Sequence, residues 1–143
     1  MYDPEKEDYD SMLRKARIKA RDMQIKVEAG NWDSIISDAY NVMYMAARGA
    51  LGKMGFPANT HQTVASQYRR LIIDANLIDQ KFADHLNKIK NYWEGEQKGQ
   101  MQIIDKARAD RIIQATLDLV DALAKMGGPK RGQVDTRLLH YNE

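Results

Sequence analysis

Apolar side chains return every three or four positions along most of this chain, and nowhere do they alternate strictly with polar ones. Between residues 8 and 29 they fall at Tyr9, Leu13, Ala16, Ala20, Met23 and Val27. That spacing draws one apolar stripe down a helix whose other faces carry Lys, Arg and Asp. Gly30 is placed to stop the helix in a left-handed conformation, and Asn31 or Asp33 is the expected cap of the next one. The second helix is expected to run to about Met54, with Ile35, Ile36, Ala39, Tyr40, Met43, Ala47, Ala50 and Leu51 inward. Gly49 and Gly52 weaken it by about 1 kcal/mol each relative to Ala, and close approach of a neighbouring helix is a reason to tolerate them.

Pro57 blocks continuation through the turn at residues 55–59. Thr60 is the expected N-cap of a third helix carrying Val64, Tyr68, Leu71, Ile72 and Ala75. Residues 76–79 read as a break. Asp79 is then placed to cap a fourth helix with Phe82, Leu86, Ile89 and Trp93 as its stripe. A polar connection is expected from Glu94 to Gln100, bracketed by Gly95 and Gly99. The last long helix starts near Asp105 and turns Ala109, Ile112, Ile113, Thr116, Val120, Leu123 and Ala124 inward, and Gly127-Gly128-Pro129 ends it. Five helices with short connections imply an all-α, antiparallel up-and-down bundle of four to five helices without a sheet. The expected organisation is a polar N-terminal segment at 1–8, the bundle at 9–126 and a tail at 127–143, whose Leu138, Leu139 and Tyr141 could dock on the bundle or a partner.

Composition narrows the chemistry more than it names it. The 143 residues suffice for one core, and 43% hydrophobic with 29% charged residues is ordinary for a globular domain. Cysteine is absent, which removes thiol nucleophiles, disulfides and Cys-based zinc sites and fits a cytoplasmic location. The acidic start of the chain is unlike a secretion signal, and no apolar run approaches the roughly 20 residues that span a bilayer. His61, His85 and His140 lie far apart in sequence without a metal-binding spacing, so no metal or cofactor is expected. Phosphate loops of the GxxxxGK[ST] or GxGxxG type and a GxSxG nucleophile elbow are missing.

With a net charge of only +2, attraction to nucleic acid would have to come from local clusters. The most suggestive is Lys88 and Lys90 next to Tyr92 and Trp93, where a base could stack beside ammonium groups. Against this stands the reading that Trp93 simply ends a core stripe. His61, just after Thr60, is either an anion contact at a helix start or a locally hydrogen-bonded histidine. Tyr40 and Tyr44, four apart on one helical edge, read as core packing, and Trp32 as packing at a helix entrance.

The order of these features resembles the HEPN-domain family, in particular its small stand-alone prokaryotic members. Glu28-Ala29-Gly30-Asn31-Trp32 is similar to the family's Glu-Gly-Asn-Tyr turn. Ser37 to Leu51 resembles its Ala-Tyr-Tyr-Ala-x-x-x-Ala-Ala-x-Ala-Leu helix, followed by a Gly-x-Pro turn and Thr60-His61-x-x-Val64. The resemblance covers residues 9–126. It implies a helical homodimer, here expected through the second and fourth helices, that acts on RNA or partners a small nucleotidyltransferase in a toxin–antitoxin or defence system.

Ribonuclease members of the family carry Arg-x4-6-His near the end of the helix before the last, and cut RNA across the dimer without metal. The corresponding stretch here is Asn87-Lys88-Ile89-Lys90-Asn91-Tyr92-Trp93-Glu94-Gly95, which has neither residue at that spacing. His85 precedes the lysines, the reverse of the family order. A non-catalytic, non-nuclease module is therefore expected, binding nucleotide or RNA through Lys88, Lys90, Asn91 and Tyr92, with His61 as a further candidate. The alternatives are a metal-independent ribonuclease toxin with a degenerate site, in which Lys88 holds the phosphate, and a purely structural adaptor.

Overall fold

A computed structural model describes residues 8–100 and 103–126. Residues 1–7 of the expected N-terminal segment 1–8, the break at Gly127-Gly128-Pro129 and the tail lie outside the described residues, and Asp8 is the N-cap of the first helix. Among the described residues five α-helices follow in order: α1 (Tyr9–Glu28), α2 (Ile35–Lys53), α3 (His61–Gln67), α4 (His85–Gln97) and α5 (Lys106–Lys125). No strand occurs among the described residues, so the all-α expectation holds.

α2 is the central rod. Its expected inward residues are all buried, and Val42, Tyr44, Ala46 and Gly49 are buried as well. A helix apolar around most of its circumference needs neighbours on several sides, and α2 touches α1, α3, α4 and α5. Alanines and glycines let those neighbours come close. A Cβ on Gly52 would lie 2.2 Å from the Tyr9 ring, and one on Gly49 would lie 3.1 Å from Leu13 Cγ. The end of α2 thus packs on the start of α1, while Lys26 near the end of α1 pairs with Asp38 near the start of α2 at 3.3 Å. The two helices run antiparallel. Arg17–Asp121 ties α1 to α5 at 3.8 Å.

The termini follow the expected chemistry with three corrections. Gly30 closes α1 at φ +84°, Thr60 Oγ1 accepts from Thr63 N at 3.0 Å, and Asp105 Oδ1 accepts from Arg108 N at 2.8 Å. The N-cap of α2 is Ser34, not Asn31 or Asp33, and its hydroxyl donates to Asp38 Oδ2 at 2.8 Å instead of capping the backbone. Asp79 caps only the 3-10 turn Gln80–Phe82, and α4 begins at His85, so Phe82 precedes the helix whose stripe it was expected to open. The expected connection from Glu94 is largely helical. α4 continues to Gln97 with Gly95 buried inside it, and the chain turns at Gly99, φ +77°.

The third helix does not keep one geometry. α3 widens into a π-helical turn, Tyr68–Ile73, where Asp74 N donates to Arg69 O five residues back at 2.8 Å. Tyr68, Leu71, Ile72 and Ile73 are all buried there, so Ile73 joins the three positions a 3.6-residue stripe already turns inward, while Ala75 is only partly buried. Tyr68 Oη donates to the Phe82 carbonyl at 2.6 Å, which holds the 3-10 turn against this widened segment.

Candidate functional site

α4 and α5 both pack on α2 and make little direct contact with each other. The gap between them is a cleft of about 270 Å³ with an apolar floor and a polar rim. Met43 of α2, Ile89 of α4, and Ile112 and Ala115 of α5 form the floor. His85, Lys88 and Tyr92 line it from α4, and Arg108 and Arg111 from α5. The spacings 85, 88, 89, 92 and 108, 111, 112, 115 each trace one helical face, so two amphipathic boundaries meet with their basic edges turned to the same opening.

These side chains are partly fixed. Arg108 lies over the Tyr92 ring at 4.8 Å from its centroid, and its Nη1 donates to the Ile103 carbonyl at 3.2 Å. One face of Tyr92 is therefore covered by a guanidinium. His85 is half-buried, with its ring 5.2 Å from that of Phe82. Burial lowers its pKa below the ordinary 6.5, and the Lys88 charge lowers it further, while Asp118 and Asp84 pull in the opposite direction. The lowered pKa favours the neutral imidazole, which keeps one nitrogen lone pair and can accept a proton. An unprotonated imidazole beside three cations over an apolar floor can hold a phosphate and a planar apolar group together, and it offers a base within the same opening.

The five site residues expected from sequence separate into different places. Lys88 and Tyr92 line the cleft. Lys90, on another face of α4, pairs with Glu94 at 3.7 Å. Asn91 is exposed and lines neither the cleft nor any other cavity described in this molecule. His61 lies elsewhere, its Nδ1 hydrogen-bonded to Tyr40 Oη. The partner is on α2, so the interaction is tertiary and not the local one weighed from sequence. Burial lowers the His61 pKa first, and the Lys90 charge adds to it. Tyr40 stacks on Trp93 at 4.5 Å and 7° and leans on Tyr44 at 4.9 Å. Trp93 is thus a packing residue, and no base can stack on the face it gives to Tyr40. Trp32 packs at the helix entrance and donates from Nε1 to the Ile104 carbonyl at 3.1 Å, tying the α1–α2 turn to the approach to α5.

Sequence reasoning did not place His85, Arg108 and Arg111 in this site. For His85 a signal existed, because 85, 88 and 92 share a helical face. For the arginines none did, since nothing local says that α5 borders α4. Among the described residues no three His, Cys, Asp or Glu side chains group to hold a metal ion. No helix among them is long and apolar enough to cross a membrane.

Comparison with known proteins agrees with this architecture. No curated protein matches the chain. The family model described as HEPN domain matches residues 9–126, from the first residue of α1 to just past the end of α5. That span covers most of the chain and all five helices: the chain belongs to the HEPN-domain family.

Proposed function

We propose that this chain is a non-catalytic HEPN module that binds a nucleotide or single-stranded RNA in the cleft between α4 and α5. The observation that carries the reading is the convergence of Lys88, Arg108 and Arg111 around an apolar floor. Cations capture a phosphate, and Met43, Ile89 and Ile112 offer contact to a base edge or sugar. The rest of the proposal follows the family: a homodimer through α2 and α4, working with a small nucleotidyltransferase in a toxin–antitoxin or defence setting. The test is fluorescence anisotropy with a labelled single-stranded RNA and with ATP, using wild type, Lys88→Ala and Arg111→Ala. Both variants are expected to weaken binding about tenfold, the effect of one charge-assisted hydrogen bond. Unchanged affinity in both refutes the cleft as the site. Sedimentation of a monomer at micromolar concentration would refute the dimer, and failure to co-purify with a nucleotidyltransferase expressed from a neighbouring gene would refute that partnership.

One observation favours a second reading, a metal-independent ribonuclease. His85 sits one helical turn before Lys88 in the same cleft, so an imidazole is present where the residue order implied none. In that reading His85 takes the proton of a ribose 2′-hydroxyl, the 2′-oxygen attacks phosphorus, and the 5′-oxygen departs with a proton from solvent. Cleavage in excess chelator that disappears in His85→Ala selects this reading. Binding without cleavage selects the first.

A further inference from the structure

α1 packs on α2 and α5 through Leu13, Ala16, Ala20, Met23 and Val27, which leaves its opposite face to solvent. Two isoleucines sit in the middle of that face: Ile18 is 60% exposed and Ile25 63%. They are two of the three large apolar side chains left in solvent among the described residues. Seven residues apart, they stand two helical turns from each other in one line, half a turn around the helix from the buried stripe. Cations flank this line. Arg14 and Arg21 border it on one side and Lys15 on the other, all exposed, and none forms an ion pair with a described residue. The carboxylates that feel the two arginines, Asp10 and Asp121, are already engaged by Lys53 at 2.7 Å and Lys125 at 2.9 Å. Asp22 is the one acidic residue between Arg14 and Ile25.

We infer that the solvent face of α1 is a docking surface for an acidic amphipathic helix of a partner protein, one that carries apolar side chains seven residues apart between carboxylates. The occupant follows from the composition of the face. A seven-residue apolar line is the seam that two paired helices share, and charged borders on such a seam choose the partner. A second copy of α1 would set Arg14, Lys15 and Arg21 against their own equivalents, a like-charge juxtaposition that opposes pairing. A phosphate backbone would answer the cations and leave both isoleucines in water. A lipid surface would receive only those two side chains, because the apolar stripe of α1 is committed to the core. None of these residues lines the α4–α5 cleft, so the two sites stand or fall separately.

The probe is a synthetic helix of about three heptads with leucines at the seam and glutamates on either side, whose like charges keep it from pairing with itself. It is titrated calorimetrically at low ionic strength into the full chain as wild type, Ile18→Ser/Ile25→Ser and Arg14→Glu/Lys15→Glu. All four substituted side chains are exposed, so the fold is retained. Saturable binding is expected in wild type, weakened about tenfold or more in the isoleucine variant. The charge-reversed variant is expected to lose the acidic helix and to bind a peptide of the same seam with lysine in place of glutamate. Equal binding of a control peptide with serine in place of leucine would overturn the inference, because it shows attraction of charge alone. No saturable binding, or an affinity both variants leave unchanged, would overturn it too. So would binding of single-stranded RNA or phosphatidylserine vesicles, in place of the peptide, that the isoleucine variant removes. Self-association in sedimentation that Ile18→Ser/Ile25→Ser abolishes would assign the face to a second copy instead.

Discussion

Replacing Lys88 by alanine should change the salt dependence of RNA binding by an amount the cleft itself sets. Three cations line the opening, Lys88, Arg108 and Arg111, so at most three phosphates of a bound strand are neutralised there. For single strands each neutralised phosphate contributes a slope of about −0.7 in log K against log salt, which gives about −2.1 for wild type. Raising salt fourfold, from about 50 to about 200 mM, then weakens binding roughly 18-fold. Without Lys88 the slope falls to about −1.4, and the same salt step weakens binding only about sevenfold. At low salt the variant also loses about tenfold in affinity from the missing charge-assisted contact. Fluorescence anisotropy at four or five salt concentrations measures both quantities. A slope of −2 or steeper in Lys88→Ala, or a wild-type slope near zero, would refute phosphate capture by this cleft.

Other expectations reach the fold and its titration. Gly52→Ala should destabilise by about 1–2 kcal/mol in urea melts, because the overpacking cost against the Tyr9 ring at 2.2 Å exceeds the helix-propensity gain of about 1 kcal/mol. In a Tyr9→Ala background the same change should stabilise, and failure of the sign to reverse would refute the clash. Tyr44→Phe should leave stability equal or raise it by about 1 kcal/mol, since it removes an unpartnered hydroxyl whose pKa burial and the neighbouring Tyr40 and Glu94 push up to about 12. A loss of more than about 1 kcal/mol would show that the hydroxyl has a partner. His61 and His85 both titrate below 6.5 in the folded chain. The unfolded chain therefore binds protons first, and stability is full above pH 6.5 and lost as pH falls from 6.5 through the lowered folded-state values. Melts across that window should flatten in a His61→Gln/His85→Gln variant, and an unchanged slope would contradict the burial of the two rings.

The bundle was legible because its signals are local. The stripe Leu13, Ala16, Ala20, Met23, Val27 and the caps at Thr60 and Asp105 are decided by neighbours within a few residues, and each is where the periodicity puts it. The misplaced boundaries are positions where distant packing overrides local preference. Phe82 is kept out of α4 in a turn whose carbonyl is held by Tyr68, fourteen residues earlier. Gly95, by propensity a helix breaker, sits buried within α4 and contributes its carbonyl to the closing bonds from Lys98 and Gln100. Gly49 and Gly52 were readable as close-approach positions, although not which side chains approach.

The candidate site was legible by half. Lys88 and Tyr92 could be paired by helical spacing, but Lys90 and Asn91, adjacent in sequence, point to other sides of α4. The arginines that complete the cleft come from α5, and only the packing of both helices on α2 brings them across. His61 drew attention as a helix-start residue, yet its environment is made by Tyr40, 21 residues away. A linear comparison with Arg-x4-6-His sets His85 aside because it precedes the lysines, whereas it enters the cleft through the three-residue spacing to Lys88 and not through motif order.

The most direct test of the central claim, that the gap between α4 and α5 is the ligand site, is an ¹⁵N–¹H titration of the full chain with a short single-stranded RNA. The account predicts saturable shifts that cluster on the backbone amides of His85, Lys88, Tyr92, Arg108 and Arg111, with Arg17 and Asp121 on the α1–α5 face unmoved. Shifts confined to other faces, or none at millimolar RNA, would contradict it.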